Sequence, residues 1–567
     1  AFNTALGKDA LGANTTASNN TAVGADALTA NTTGSSNTSV GHESLDANTT
    51  GGSNVALGRN ALGANTTASN NTGLGRSALG ANTTGQYNTA VGSAALDAAT
   101  TANYNTAVGY QALSATTTGD LNTAVGQDCL RDNTTGESNV AVGLSALREN
   151  TTASNNTAIG QSALKVNTTG AQNVALGSSA LLDNTTGNYN VGIGYLALEE
   201  NTTSSANVAV GGFALENNTA ANNTAIGYVA LRANTSGTSN TAVGTQAMDS
   251  NQTGNYNAAF GMNALKNNTG SNNTACGNDA LKNNTSGGNL TAVGINALDA
   301  NTTGSQNTGI GGFALDNNTT GSNNVAVGNE ALEKNTTASN NTAVGYQALE
   351  ENTTGGDNVA VGSGTLDANT TGTYNTGVGK GALTNLTTGS NNVAIGRVAM
   401  ELAQTSYNSV AVGVRSLDAN LSGGYNTAVG DGALSAYTGS ENTAVGGNAL
   451  AVCTTGHDNT GLGVNALAAA TTGAENTALG NDTLRNVTTG NQNTAVGSLS
   501  SDSVTTGVEN TAIGYKSLTN NTTGNYNTAC GYAAARDLSS GSSNTCLGIN
   551  AGLNLSTGDN NTLLGTN

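Results

Sequence analysis

The chain has 567 residues, with 78 Gly, no Pro, no Trp, 3% aromatic residues and a formal net charge of −19. Such a composition excludes a conventional globular core, which depends on large aromatic and aliphatic side chains. The acidic balance argues against nucleic acid and anionic membrane surfaces, both of which call for basic patches.

Charged residues make up only 9% of the chain, and the apolar ones recur at fixed places. The chain is therefore read as ordered rather than disordered. No run of about 20 apolar residues occurs, so no membrane-inserted segment is expected.

From its first residues the chain repeats one unit. Glycines recur at Gly7, Gly24, Gly41, Gly58 and onward through Gly345 to Gly565, with most spacings of 17 and three of 16. A fixed short period predicts a solenoid, each unit being one coil that cannot bury its apolar face alone. The predicted fold is all-β, a parallel β-solenoid or β-roll of about 34 coils in one continuous domain over 1–567. Stacked at a parallel-strand spacing, such coils would form a rod roughly 160 Å long. The sequence opens and stops in mid-unit, which reads as a piece of a longer protein or a processed fibre subunit.

Within a unit, Asn stands four before the anchor glycine (Asn20, Asn37, Asn54, Asn341), with Leu290 and Ser409 as exceptions. Thr or Val, then Ala or Gly, then Val, Leu or Ile follow, as in Thr342-Ala343-Val344. The alternation predicts a short strand. We expect Val344 and Thr342 to face the core and Asn341 and Ala343 to face away. The obligatory small residue would then give a flat face for another chain.

The asparagines would form a ladder like the stacked amides of cross-β structures. The anchor glycines Gly24, Gly41, Gly58 and Gly345 mark a corner with positive φ or a close backbone approach. Four residues on, Leu28, Leu45, Leu62 and Leu349 form a second core column. The unit then turns through Asn352-Thr353-Thr354-Gly355, where Asn and Thr bond their own backbone. Three units that lose one residue lose it here, at 217–220, 267–270 and 436–439, as loop variation should. The five cysteines replace small hydrophobes of the repeat and show no disulfide spacing.

The stretches Asn408-Ser409-Val410-Ala411-Val412-Gly413 and Asn391-Asn392-Val393-Ala394-Ile395-Gly396 resemble the head repeats of trimeric autotransporter adhesins, the YadA-like head. Similar repeats occur in phage-type tail fibres and fibre-like surface proteins. The resemblance implies a left-handed parallel β-roll and a trimer. It covers the whole chain, with Thr often replacing Val. The period departs from the family, whose coils are usually shorter and lack the added Asn-Thr-Thr-Gly turn.

No catalytic constellation is expected. The two histidines, His42 and His457, lie far apart in the sequence, and no metal-ligand spacing or Gly-x-Ser-x-Gly motif occurs. No cofactor is implied. Tyrosines recur five before the anchor (Tyr87, Tyr104, Tyr189) and one after it (Tyr110, Tyr346), where they would stack on a cell-surface glycan or pad turns. Asn14, Asn31 and Asn48 satisfy the Asn-x-Thr glycosylation pattern. Threonine ladders also raise ice binding, which the inward placement of the strand Thr opposes. The expected function is the structural shaft and adhesive surface of an extracellular fibre, on a virion or cell surface. A homo-oligomer is expected, a trimer favoured over an end-to-end polymer. The alternatives are a self-assembling filament without a receptor and a carbohydrate- or ice-binding module.

Overall fold

The structure, a computed structural model, describes residues 2–566. It is a parallel β-solenoid of 34 three-residue strands, and no helix occurs among the described residues. Two compact units are formed, Ala1–Ser286 and Gly287–Asn567. The first holds the strands from β1 (Thr4–Leu6) to β17 (Thr274–Cys276), the second those from β18 (Thr291–Val293) to β34 (Thr562–Leu564).

Register follows the repeat. In the second unit β21 (Thr342–Val344) pairs in parallel with β22 (Val359–Val361), so that Thr342 meets Val359, Ala343 meets Ala360 and Val344 meets Val361. The coil-to-coil bonding does not stop at the strand ends. Leu28, Ala30 and Thr32 donate N–H bonds to the next coil's Ser44, Asp46 and Thr49, while Gly24, Asp26 and Ser36 donate to the coil before. Nearly the whole coil is thus a ladder, which satisfies backbone groups that would otherwise be orphaned.

The strand faces are the reverse of the expectation. Ala343 has 0% exposure and Asn341 is equally buried, whereas Thr342 and Val344 lie on the outer face. The same pattern, a buried small residue between two more exposed neighbours, runs through both units. The reason is the thinness of the coil. Where Gly replaces the inward Ala, as at Gly73, an added Cβ would lie 3.1 Å from the Ala78 carbonyl and 3.4 Å from Leu62 Cγ. Only a methyl group fits between strand and opposite wall, so the small residue marks the core and not a docking face.

Leu28, Leu45, Leu62 and Leu349 are fully buried, as expected, and Ala27, Ala61 and Ala348 beside them are buried too. Unexpectedly, these leucines have positive φ, 57° at Leu28 and 54° at Leu349. A left-handed conformation costs an L-residue about 1–2 kcal/mol, and burying a Leu side chain yields about 1.5–3 kcal/mol. Packing therefore outweighs backbone preference by a small margin in each coil. The anchor glycines meet both conditions proposed for them: Gly58 has φ 135°, and a Cβ there would lie 2.5 Å from the Gly75 carbonyl oxygen.

The shortened units leave the strand undisturbed. Asn223 N–H still reaches Asn207 Oδ1 at 2.9 Å across a spacing of 16, and Asn218 Nδ2 bonds the carbonyl of Ala220, two residues on instead of three.

Candidate functional site

Two columns of buried amides run up the coils. In the strand column, the backbone N–H of Asn37 donates to Asn20 Oδ1 at 2.8 Å, and Asn54 N–H to Asn37 Oδ1 at 3.0 Å. The Nδ2 groups donate across the coil to turn carbonyls, Asn20 to Gly34 and Asn341 to Gly355, both at 2.9 Å. The ladder therefore pairs side chain with backbone. Direct amide-to-amide bonds join it from Asn476 to Asn561, each Nδ2 also donating to the Oδ1 one coil before.

The second column is the turn asparagine. Asn31 Nδ2 donates to Asn14 Oδ1 at 3.2 Å and to Gly34 O at 3.0 Å, and Asn48 Nδ2 to Asn31 Oδ1 at 2.8 Å. Asn31 and Asn48 are fully buried and Asn14 is half-buried. A glycan cannot be carried by a side chain enclosed in this way, so the Asn-Thr-Thr letters at Asn31 and Asn48 are turn chemistry in the folded chain. Column and glycosylation pattern use the same residues, and only burial separates them.

The tyrosines are exposed at both ends of the strands. Tyr87 and Tyr104 stack face to face, ring centroids 5.1 Å apart and planes 1° apart. Tyr110, Tyr189 and Tyr346 are exposed as well. The structure thus joins Tyr87 with Tyr104 and leaves the other three on separate coils. His42 and His457 are exposed beside Glu43 and Asp458.

The outer strand face escaped the sequence reading. It carries Thr or Val in one column, apart from Ala258, and mostly Val, Leu or Ile in the next, with no charged residue in either. Leu57 is 48% exposed and Ile395 40%. The exposed cysteines Cys276 and Cys530 lie in the second column, whereas Cys129, Cys453 and Cys546 are buried.

A stack of carboxylates was missed too. Asp299, Asp316, Glu333, Glu350 and Asp367 occupy the same place in five successive coils. Burial pushes the Asp316 carboxyl up to about 6, with Asp299 and Glu333 adding repulsion. Burial likewise raises Glu350 and Asp367. Glu330, Glu333 and Glu350 bring carboxylate oxygens within 4.8 Å of one another, while Lys334 pairs with Glu351. The signal was present in the sequence as acids seventeen residues apart. Burial similarly pushes the Cys453 thiol up to about 11, and the neighbouring Tyr437 hydroxyl is raised and donates to Ser440 O at 2.6 Å.

These features define a parallel β-solenoid repeat protein, with a core of stacked amides, alanines and leucines. No family model matches the chain, and no curated protein matches it. No helix among the described residues is long and apolar enough to cross a membrane.

Proposed function

We propose that the chain is the structural shaft and adhesive surface of an extracellular fibre, a tail fibre or a cell-surface adhesin, working as a homo-oligomer with a trimer favoured. The observation that carries this reading is the charge-free outer strand face. In nearly every coil, β-branched and aliphatic side chains stand outward without a charge among them, where a solvated sheet face would carry charged and polar residues. Contiguous apolar patches beyond a few hundred Å² mark interaction surfaces on soluble proteins. A face without charges, repeated coil after coil, suits a second copy of itself. The resemblance of the Asn-x-Val-Ala-Ile-Gly stretches to trimeric adhesin heads supports the same assembly, and the role is non-catalytic.

Mass measurement in solution tests it, and a trimer is the expected result. Treatment with diamide, which oxidises two neighbouring thiols to a disulfide, should cross-link copies through Cys276 and Cys530, both on that face. A stable monodisperse monomer would overturn the assembly. Uniform long filaments in electron micrographs would favour the self-assembling filament instead.

One observation favours a second reading. The hydroxyls of the outward strand threonines Thr89, Thr106 and Thr123 stand on three successive coils and make no hydrogen bond among the described residues. Ice binding through this face would show as thermal hysteresis from a monomeric chain.

A further inference from the structure

The position two after the anchor glycine has positive φ and carries a side chain in most coils, such as Asn60, Ser77 and Gln347. Two successive coils have Gly364 and Gly381 there instead, with φ 61° and 68°. A Cβ at Gly364 would meet nothing within 4 Å. The missing side chains leave a groove of about 390 Å³. Lys380 and Arg397 line it from adjacent coils, both exposed and neither in an ion pair among the described residues. Glu401, Thr384, Ser363 and Val398 complete the lining, and Thr384 Oγ1 donates to the Gly364 carbonyl at 3.0 Å.

In a chain with net charge −19, two unpaired cations one coil apart beside an open groove are out of keeping with the surface. Stacked at about 4.8 Å, an ammonium and a guanidinium are placed to share one oxyanion, the guanidinium as a fork and the ammonium as a point charge. A bare anion would be repelled by Glu401. A ligand that carries hydroxyl groups beside its oxyanion would instead donate to that carboxylate. We infer that the groove bounded by Gly364, Lys380, Gly381, Thr384, Arg397 and Glu401 binds an acidic saccharide, its carboxylate on Lys380 and Arg397 and its hydroxyls on Glu401. Arg59 and Arg76 are stacked in the same way, but Asn60 and Ser77 occupy the positions that the two glycines leave open. This inference is independent of the shaft reading, which mass measurement tests.

Calorimetric titration of the full chain with oligogalacturonate, neutral maltooligosaccharide and inorganic phosphate tests the groove. Oligogalacturonate should bind, and the neutral sugar should not. Affinity should fall about tenfold, the equivalent of one to two charge-assisted hydrogen bonds, in the double variant Lys380→Gln/Arg397→Gln. It should fall similarly in Gly364→Asn/Gly381→Asn, which fills the groove and keeps both charges. Asn already occupies this place at Asn263 and Asn465 with φ 57° and 56°, so the backbone accepts that change, and a Cβ at Gly381 presses only on the side chains of Thr384 and Val398, at 3.2 and 3.3 Å. Arg59→Gln/Arg76→Gln should leave binding unchanged. Absence of oligogalacturonate binding, binding indifferent to both groove variants, or phosphate bound as tightly as the saccharide would each overturn the inference.

Discussion

Within the second unit, the turn-amide column is unbroken from Asn301 to Asn369, whereas from Leu386 to Leu555 it becomes largely apolar. Leu386, Ala403, Ala470, Val487, Val504 and Leu538 take the asparagine's place and are fully buried. The strand column persists through both stretches, from Asn307 to Asn544, with Ser409 as the exception. The difference shows what each amide does. A turn asparagine bonds its own turn and its like above and below, so replacing a run of them removes donors and acceptors together, which is nearly neutral. A strand asparagine accepts from the backbone N–H of the next coil, and no apolar side chain can do that. Ser409 can: its Oγ takes the N–H of Asn426 at 3.3 Å.

The boundaries bear this out. Buried amide oxygens without a partner occur at Asn82 and Asn369. Those are the coils where the column runs into Ala99 and Leu386. Asn521 faces Leu538 in the next coil and avoids the cost by accepting from Gly524 N–H at 2.8 Å.

The largest predicted effect follows from the two stretches. Asn493→Ala would orphan both the Asn510 N–H and the Gly507 carbonyl, at about 1–3 kcal/mol each. Asn341→Ala would orphan the Asn358 N–H alone, because Asn352 also bonds Gly355 O. Local hydrogen exchange should therefore show the greater loss of protection around Asn493. Equal losses would contradict the division of labour between the columns. Next in size, Ala343→Val would overfill the coil and cost about 1–3 kcal/mol. Val344→Ala, on the outer face, would change the stability of an isolated chain by no more than about 0.5 kcal/mol. Denaturant midpoints of the two variants compare them.

Ala99→Asn should stabilise by about 1 kcal/mol, since its amide would supply Asn82 Oδ1 and rejoin the column at Thr116. Thr116 already accepts from Asn133 at 3.3 Å. Leu386→Asn would only move the orphan up one coil, and thermal melts should separate the pair.

The smallest effect is that of pH. A raised carboxyl such as Asp316 binds its proton more tightly folded than unfolded, so stability falls as pH rises from the ordinary value of 3.8 to about 6. Melting temperature should therefore rise modestly on acidification from pH 7 to 5. Asp316→Asn should reduce that dependence.

Period, strand position, the turn and the site of the deletions were legible because each depends only on spacing. The facing of the strand was not, since three residues give an alternation without saying which parity is inside. Size preference suggested Val344, but the coil admits only a methyl. A better signal was available in the repeats themselves. The place held almost throughout by Ala or Gly tolerates least change in volume, while its neighbour accepts Val, Leu, Ile, Phe260 and Cys276. The positive φ of Leu28 could not be read at all, because local preference opposes it and only packing sustains it. Of the candidate surfaces, the tyrosines were visible as letters, but the stacking of Tyr87 on Tyr104 and the groove at Gly364 exist only in the folded coil.

The arrangement of the core is tested most directly by thiol labelling, since three of the five cysteines, Cys276, Cys530 and Cys546, sample both strand faces. In the native chain Cys546, on the alanine column, should stay unlabelled together with Cys129 and Cys453. Cys276 and Cys530 should react with the label or, in an assembly, each cross-link to its counterpart in another copy on oxidation. Labelling of Cys546 at the rate of the unfolded chain, with Cys276 and Cys530 both inert, would show that the strands face the other way.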